Sequence, residues 1–344
     1  MVGVLVITRM KSVKTILVIR LSSIGDIVLT TPVLRSLEQL YPQARIDYCT
    51  KAPFVPLLAS NPRLSSIHTP EQPPAGSCDL VVDLQNNLRS HAIVRSLKAA
   101  HVVRYRKENW KKWLLVQFGI NFDRRNRSVV DRYRDALQEP ALPDDPDGCE
   151  LYLSPAERSY AAPYFEGSAG GTKTLALCFG ANHFTKRFPP KRFASLLSLL
   201  QREEPLQVLL LGGKEDAPHA LEIMNALSDS SRSKVLNLAG CCSLMQSAAL
   251  LERSDAVLCN DTGLMHIASA FRKKLFVLFG SSSPAFGFLP YNSDFELFEV
   301  EGLRCRPCSH IGRDRCPKGH FRCMNDLSEN LIAKKILDHF RQSH

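Results

Sequence analysis

The chain alternates short apolar runs with segments whose apolar residues recur at helical spacing. Residues 16–19 form a continuous, β-branched apolar run, typical of a strand buried on both faces. A polar turn at 22–26 follows, and residues 27–40 then show apolar positions near 3.6-residue spacing, which predicts a helix that ends at Tyr41-Pro42. Strand, turn, helix and strand in this order predict βαβ units and a parallel sheet.

The alternation continues to about residue 137 and restarts after residue 172. Stretches rich in Pro, Asp, Gly and Ser at 140–148 and 166–172 separate the two series. Further strands are predicted at 46–49, 80–84, 175–179, 207–211, 235–238, 256–259 and 275–279, and helical segments at 54–59, after 84, and at 193–202, 219–227, 244–251 and 264–270. We therefore predict an α/β protein with two Rossmann-like, doubly wound domains facing a cleft, where a ligand binds outside the carboxyl ends of the strands.

The amino-acid composition agrees with the predicted α/β fold and restricts the class of protein further. The chain has 344 residues, of which 44% are hydrophobic and 23% charged, values typical of a folded globular protein. No apolar run approaches the ~18–20 residues that a membrane span needs. The positive charges near the start follow the first apolar run, whereas a secretory signal carries them before it. A cytoplasmic protein is therefore expected.

Positive charge is concentrated in one stretch. The net charge is +10, and residues 84–134 contain thirteen Lys and Arg against three acidic residues. This stretch indicates an anionic partner: nucleic acid, an acidic membrane surface or a phosphorylated substrate. A well-solvated helical face is the alternative. Nucleic acid is disfavoured, because the stretch lacks regular aromatic interleaving and no nucleic-acid-binding motif is present.

The first candidate for chemistry is Asp26, in the turn after the first predicted strand. At the carboxyl end of that strand its carboxylate can face the cleft. The alternative is a helix cap, because Asp and Ser there bind free backbone N–H groups.

The second candidate is the segment 260–266, at the start of the last full helix of the second domain. A helix N-terminus binds phosphate through free N–H groups and a partial positive charge. Thr262 adds a hydroxyl, Gly263 permits close backbone approach, and His266 lies one turn further along. The alternative is capping by Asp261 with His266 on a partly buried face.

A third candidate is Lys186, in the long loop 179–187, where it could neutralise a phosphate; a solvated loop lysine is the alternative. The chain has no G-x-G-x-x-G after the first strand, no P-loop motif and no G-x-S-x-G elbow. A classical dinucleotide-binding domain, a P-loop NTPase and an α/β-hydrolase are therefore disfavoured.

Four of the eleven cysteines form a cluster near the end of the chain, and the other seven are interpreted as free thiols. The four-cysteine cluster consists of Cys305, Cys308, Cys316 and Cys323. Such thiols can make a tetrahedral zinc site, although the gaps are not those of a zinc ribbon. A reduced loop near the mouth of the cleft is the favoured interpretation, outside the catalytic set.

Several motifs resemble one known family. The segments 16–37, 81–90 and 259–271 are similar to the family 9 glycosyltransferases, the ADP-heptose:lipopolysaccharide heptosyltransferases, and so are 280–291 and the cysteine-bearing tail. Residues 1–13 lie outside the resemblance as an expected extension, with Met10 as an alternative start. The resemblance implies a GT-B fold with an acceptor domain at 1–165, a nucleotide-sugar domain at 171–326 and a terminal helix, 327–344, that packs back on the first domain.

The resemblance also implies roles for the candidates. Asp26 is the expected general base, Lys186 and the backbone at Thr262-Gly263 hold the donor diphosphate, and Asp261 and His266 organise that loop. Acceptor-side positions are Ser22, Ser23, Gly25 and Arg89.

The expected reaction is an inverting transfer of heptose from ADP-heptose to the lipopolysaccharide inner core, with no cofactor. A helix N-terminus with a lysine can stabilise the leaving group without a metal, and no D-x-D motif stands in a plausible cleft loop. The basic stretch 84–134 lies in the acceptor domain, where it suits an anionic lipid A–core acceptor and peripheral contact with the inner membrane. Alternatives are another nucleotide-sugar, or a non-catalytic module that binds anionic membranes.

Overall fold

The computed structural model describes residues 13–123, 125–138, 142, 145–166 and 172–342, so the predicted extension at 1–13 lies almost entirely outside the described residues. The first half contains a five-stranded sheet in the order β3-β2-β1-β4-β5, with every pairing parallel. Its strands are β1 (Thr15–Ile19), β2 (Arg45–Cys49), β3 (Ser66–His68), β4 (Ser77–Asp83) and β5 (Lys98–Arg104).

The described part of the first half also contains six α-helices, three of which follow the last strand of the sheet in the chain. They are α1 (Ile24–Val28), α2 (Thr31–Leu40), α3 (Leu88–Ser96), α4 (Asn109–Phe118), α5 (Val129–Asp135) and α6 (Pro155–Ala161), with 3-10 turns at Ala52–Leu57 and Ala162–Tyr164. The central strand β1 is almost completely buried, as its continuous apolar run predicts.

The second half contains a six-stranded sheet in the order β11-β10-β9-β6-β7-β8, again with parallel pairings. Its strands are β6 (Lys173–Cys178), β7 (Leu206–Leu211), β8 (Val235–Asn237), β9 (Ala256–Asn260), β10 (Lys274–Phe279) and β11 (Phe295–Glu299). Its helices are α7 (Pro190–Glu203), α8 (Ala217–Ala226), α9 (Asp229–Arg232), α10 (Leu244–Arg253), α11 (Gly263–Ala270), α12 (Arg322–Asn325) and α13 (Glu329–Gln342), with 3-10 turns at Phe184–Lys186, Lys214–Asp216 and Pro284–Phe286. The prediction of two parallel α/β sheets is confirmed.

Two predicted helices differ from the structure. The single helix expected at 27–40 is divided into α1 and α2, because the hydroxyls of Thr30 and Thr31 donate to the carbonyls of Ile27 and Val28 and the following Pro32 has no N–H to continue the ladder. The segment expected as a helix at 54–59 is instead the 3-10 turn Ala52–Leu57, which contains two prolines.

Within the described residues, the terminal helix packs on the second half of the chain and not, as expected, on the first. Helix α13 lies against α7 of the second half. Its apolar residues Ile332, Ile336 and Phe340, spaced four apart on one face, are buried in the same core as the inner side of α7. Arg341 adds ion pairs to glutamates at the end of α7, so the helix completes the second core rather than bridging the two.

The two halves meet through two pairs of packed helices. Helix α1 packs against α11, and α10 packs against α6. The backbone N–H of Val129, at the start of α5, donates to the carbonyl of Gly287 at 2.9 Å. Among the described residues, no helix is both long and apolar enough to cross a bilayer.

Candidate active site

Asp26 lies in the first turn of α1, directly after the carboxyl end of β1. One carboxylate oxygen, Oδ2, accepts hydrogen bonds from the backbone N–H and the hydroxyl of Ser23, at 3.2 and 2.9 Å. The other oxygen, Oδ1, is 2.7 Å from the guanidinium of Arg20 and accepts a 3.3 Å hydrogen bond from Tyr133. The side chain of Asp26 is 18% exposed, so the carboxylate is both fixed and reachable.

The surroundings keep Asp26 ionised. Burial alone raises the pKa of a carboxyl group, but the charge of Arg20 and the hydrogen bonds from Ser23 outweigh it and hold the pKa of Asp26 below its usual range. Asp26 is therefore a carboxylate, able to accept a proton, throughout the neutral pH range.

Arg20 is itself held in place by several contacts, and its role in the site was not predicted from the sequence. Its guanidinium donates to the carbonyls of Ser22 and Leu84, at 2.9 and 2.8 Å, and lies 5.6 Å from the centre of the Tyr133 ring. The residue is 8% exposed. An arginine directly after a fully buried apolar strand was the available signal, since a buried cation requires an acidic or carbonyl partner.

The second half contributes the start of α11 and the loop 179–187, which carries Lys186 and is called the lysine loop below. Thr262 is the N-cap residue of α11, and its side chain makes no capping hydrogen bond. Asp261 does not cap the helix as the alternative proposed; its carboxylate lies 2.8 Å from the ammonium of Lys186. The N-terminus of α11 and a lysine are thus brought together, as an anion-binding site requires.

Glycines allow the two halves of the site to approach closely. A methyl group at Gly25 would lie 2.4 Å from a ring carbon of His266, and one at Gly263 would lie 2.8 Å from Cβ of Ile24. Each glycine therefore accommodates a side chain of the opposite helix, and only glycine fits either position without displacement. This contact places Asp26 of the first half next to the N-terminus of α11.

His266 is enclosed at this junction and uncharged. Burial lowers its pKa to about 4, although the charges of Asp261 and Asp26 act in the opposite direction. The alternative that His266 lies on a partly buried face is superseded, because the residue is 4% exposed. A neutral imidazole here packs the junction against Gly25.

Basic residues of the first half surround Asp26. Burial lowers the pKa of Lys107 and of Lys112, and the charges of both interact with those of Arg20 and Asp26. Arg132 donates to the carbonyl of Phe286, across the junction. Part of the basic stretch predicted from sequence therefore faces the site rather than solvent.

The structure unites most, but not all, of the predicted site residues. Gly25 contacts His266, Gly263 contacts Ile24 beside Gly25, and the charges of Asp26, Asp261 and Lys186 all act on His266. Lys186 pairs with Asp261, which precedes Thr262. Ser23 forms the capping contacts described above, while Ser22 provides a carbonyl for Arg20. Arg89 is exposed near the start of α3, and no described hydrogen bond or ion pair connects it to this group.

The four-cysteine cluster is a real spatial cluster. All four side chains line one small cavity of about 20 Å³ that also contacts Thr185 and His320. All four thiols are free, and no group of three or more metal-ligating side chains in the described part of the chain is arranged to hold a metal ion. The segment that carries the four cysteines also contacts the lysine loop. The backbone N–H of Arg313 donates a 2.9 Å hydrogen bond to the hydroxyl of Thr185, next to Lys186.

Comparison with known proteins identifies a family and several relatives that this chain resembles. The family model for glycosyltransferase family 9 (heptosyltransferase) matches residues 75–317. Lipooligosaccharide heptosyltransferase 2 of Haemophilus influenzae is 31% identical over 359 residues, covering 93% of this chain and 98% of that protein. Lipopolysaccharide heptosyltransferase 2 of Escherichia coli is 29% identical over 299 residues, covering 79% of this chain and 84% of the relative.

Solved structures match the fold as a whole. The E. coli ADP-heptose lps heptosyltransferase II superposes with a TM-score of 0.73 at 24% identity, covering 96% of this chain and 99% of that one. A glycosyl transferase family 9 structure from Veillonella parvula gives 0.77 at 20% identity, covering 96% and 98%. The GT-B fold expected from the resemblance is confirmed. On these matches the chain belongs to glycosyltransferase family 9, the heptosyltransferases.

Proposed function

We propose that this protein transfers a heptose from ADP-heptose to the inner core of lipopolysaccharide, with inversion at the anomeric carbon and without a metal ion. The observation that carries the proposal is the junction of α1 and α11. There an ionised, partly exposed Asp26 lies beside a helix N-terminus and the lysine of the opposite half.

Asp26 is the general base in this proposal. Its carboxylate takes the proton from the acceptor hydroxyl while that oxygen attacks the anomeric carbon of the donor. The new bond to the acceptor oxygen forms as the bond to the leaving phosphate oxygen breaks, on the opposite face of the sugar, so the configuration inverts. Arg20, Ser23 and Tyr133 fix the carboxylate, which reduces the reorganisation needed during transfer.

The leaving diphosphate is assigned to the second half. The N-terminus of α11 offers N–H groups that the side chain of its N-cap residue, Thr262, does not cap, and Lys186 supplies a cation. In the structure Lys186 is paired with Asp261. We expect a bound diphosphate to compete for this ammonium, with Asp261 keeping the lysine in place before the donor arrives.

An anionic lipid-linked acceptor suits the first half. Lys107 and Lys112 lie near Asp26 and carry charge that phosphorylated acceptors require. The relatives support the acceptor class, since the two described above are named for lipopolysaccharide and lipooligosaccharide. The E. coli protein of known structure is named as an ADP-heptose lps heptosyltransferase, which supports the donor.

The test is transfer by the full chain in the presence of EDTA. ADP-heptose and a heptose-deficient core acceptor are supplied, and ADP release and the glycosylated product are measured together. We expect transfer that requires acceptor, and an anomeric configuration in the product opposite to that in the donor. A panel of other nucleotide-sugars serves as the matched control. Transfer only from another donor would replace the substrate assignment, and binding without turnover from any donor would overturn the enzymatic proposal.

A further inference from the structure

Helix α4 has an unusual distribution of exposed and buried side chains. Trp110 and Trp113 are each 55% exposed, whereas Lys111 and Lys112 between them are half-buried. None of the residues of α4 is fully buried. A helix at a water-facing surface normally shows the opposite arrangement, with lysines outside and tryptophans packed inward.

The aromatic surface extends beyond the helix. Gly119 ends α4 in the left-handed conformation, with a φ of 69°, and turns the chain back. Phe122 then packs on Trp110 in a tilted arrangement with ring centres 5.4 Å apart, and Phe118 packs edge-on against Trp113 at 5.5 Å. We call this the aromatic patch; its members, all about half exposed or more, are Trp110, Trp113, Phe118, Ile120 and Phe122. A contiguous exposed patch of this kind indicates a binding surface.

The charge around the patch indicates which partner it fits. Residues 104–122 contain five Lys and Arg and one acidic residue, Glu108, which pairs with Lys111. Tryptophan and phenylalanine flanked by cations are typical of helices that lie in the interface of an anionic bilayer, where the rings enter the headgroup region and the cations meet lipid phosphates. A protein partner would need acidic complementarity instead.

The opposite side of α4 leads to the proposed active site. The ammonium of Lys112 lies 6.0 Å from the ring centre of Phe288 in the second half, and its charge interacts with those of Asp26 and Arg20. One short helix therefore carries aromatic rings outward and Lys112 towards the site.

We propose that α4 and the aromatic patch form the surface by which this protein docks on an anionic lipid bilayer, with the rings in the interface. The proposal deepens the proposed function and rests on it for the reason to bind a membrane, namely a lipid-linked acceptor. Docking by α4 would present the headgroup region of the bilayer to the cations beside Asp26.

The chain is well suited to a direct test, because Trp110 and Trp113 are its only two tryptophans. All intrinsic tryptophan emission therefore reports on α4. The full chain is mixed with phosphatidylcholine vesicles, with vesicles that also contain phosphatidylglycerol, and with the latter made from acyl-brominated lipid. Sedimentation measures binding and bromine quenching measures ring depth. No nucleotide-sugar or acceptor is present, so the outcome is independent of transfer activity.

We expect sedimentation with the phosphatidylglycerol vesicles, a blue shift of the emission and quenching by brominated lipid. Trp110→Ser combined with Trp113→Ser should lower vesicle affinity by at least about tenfold, and high salt should weaken binding. The matched control, Leu221→Ser with Leu331→Ser, removes two exposed leucines of the second half and should bind as the parent does. Absence of sedimentation, or sedimentation without quenching, would overturn the proposal. A blue shift that instead follows protein concentration without vesicles would assign the patch to self-association and would also overturn it.

Discussion

Substitution of Gly25 by alanine tests the junction on which the site depends. The added methyl carbon would lie 2.4 Å from a ring carbon of His266, whereas ordinary contact begins at 3.4 Å. His266 is enclosed and cannot swing aside. Helices α1 and α11 must therefore separate by about 1 Å, a displacement that can lower a catalytic rate by about 10²-fold. Overpacking of this kind also costs about 1–3 kcal/mol of stability.

The assay for Gly25→Ala combines turnover, ADP affinity and melting temperature. We expect turnover to fall by about 10²-fold with ADP affinity nearly unchanged, because the residues proposed to bind the diphosphate all belong to the second half. A double-mutant cycle provides the control: in a His266→Ala background the methyl group has room, so Gly25→Ala should cost less unfolding free energy there, with a coupling above about 0.5 kcal/mol. Turnover within about threefold of the parent and an unchanged melting temperature would refute this account of the junction.

Three further outcomes follow from the site. Lys186→Ala and Thr262→Ala should each weaken ADP binding by about tenfold to a hundredfold, since charge-assisted contacts contribute ~1.5–3 kcal/mol; unchanged affinity in calorimetric titration of both would exclude the assignment. Because the pKa of His266 is about 4 when folded and 6.5 ordinarily, the unfolded chain binds more protons between these values. Stability should therefore be complete above pH 6.5 and decline as pH falls towards 4, by up to about 3 kcal/mol. His266→Gln should flatten that slope in denaturant titrations, and an equal slope in both proteins would contradict the explanation. For the four-cysteine cluster we expect less than stoichiometric zinc in protein purified without added metal; one zinc per chain by elemental analysis would show a metal site instead.

The sequence predicted the central strands of both sheets and the edge strand β8, and it missed the edge strands β3, β5 and β11. The runs that become β1, β6, β9 and β10 are buried on both faces and so are continuously apolar, which periodicity detects. Strands β3, β5 and β11 lie at or near the ends of the sheets, are partly exposed and carry mixed residues. Their pairing depends on a neighbouring strand rather than on a pattern of their own.

The positions of candidate residues that directly follow a strand could be predicted from the sequence. Contacts between residues that are far apart in the chain could not. Asp26 and the segment around Thr262 follow strands β1 and β9, so their positions follow from topology. The partnership of Asp26 with Arg20 and Tyr133 brings together residues 107 positions apart, and no local spacing encodes it. The capping and catalytic interpretations of Asp26 are not exclusive, since one oxygen contacts Ser23 while the other contacts Arg20.

The packing partner of α13 was likewise not predictable from the sequence. Its apolar stripe predicts a buried face but does not specify which surface covers it. The inner side of α7, with Leu196, Leu197 and Leu200 fully buried, provides the complementary surface in the second half.

Replacement of Asp26 by asparagine tests the central claim most directly. Asparagine keeps the size and caps a helix as well as aspartate does, but its amide cannot accept the acceptor's proton. Transfer rate, nucleotide-sugar affinity and melting temperature are measured on the same preparation. If Asp26 is the base, turnover falls by ~10²–10⁴-fold while donor affinity stays near that of the parent. The melting temperature falls in either case, because the buried Arg20 loses its charged partner, so the rates are compared well below the transition. If Asp26→Asn transfers sugar within a few-fold of the parent, Asp26 only caps α1 and the base is another residue.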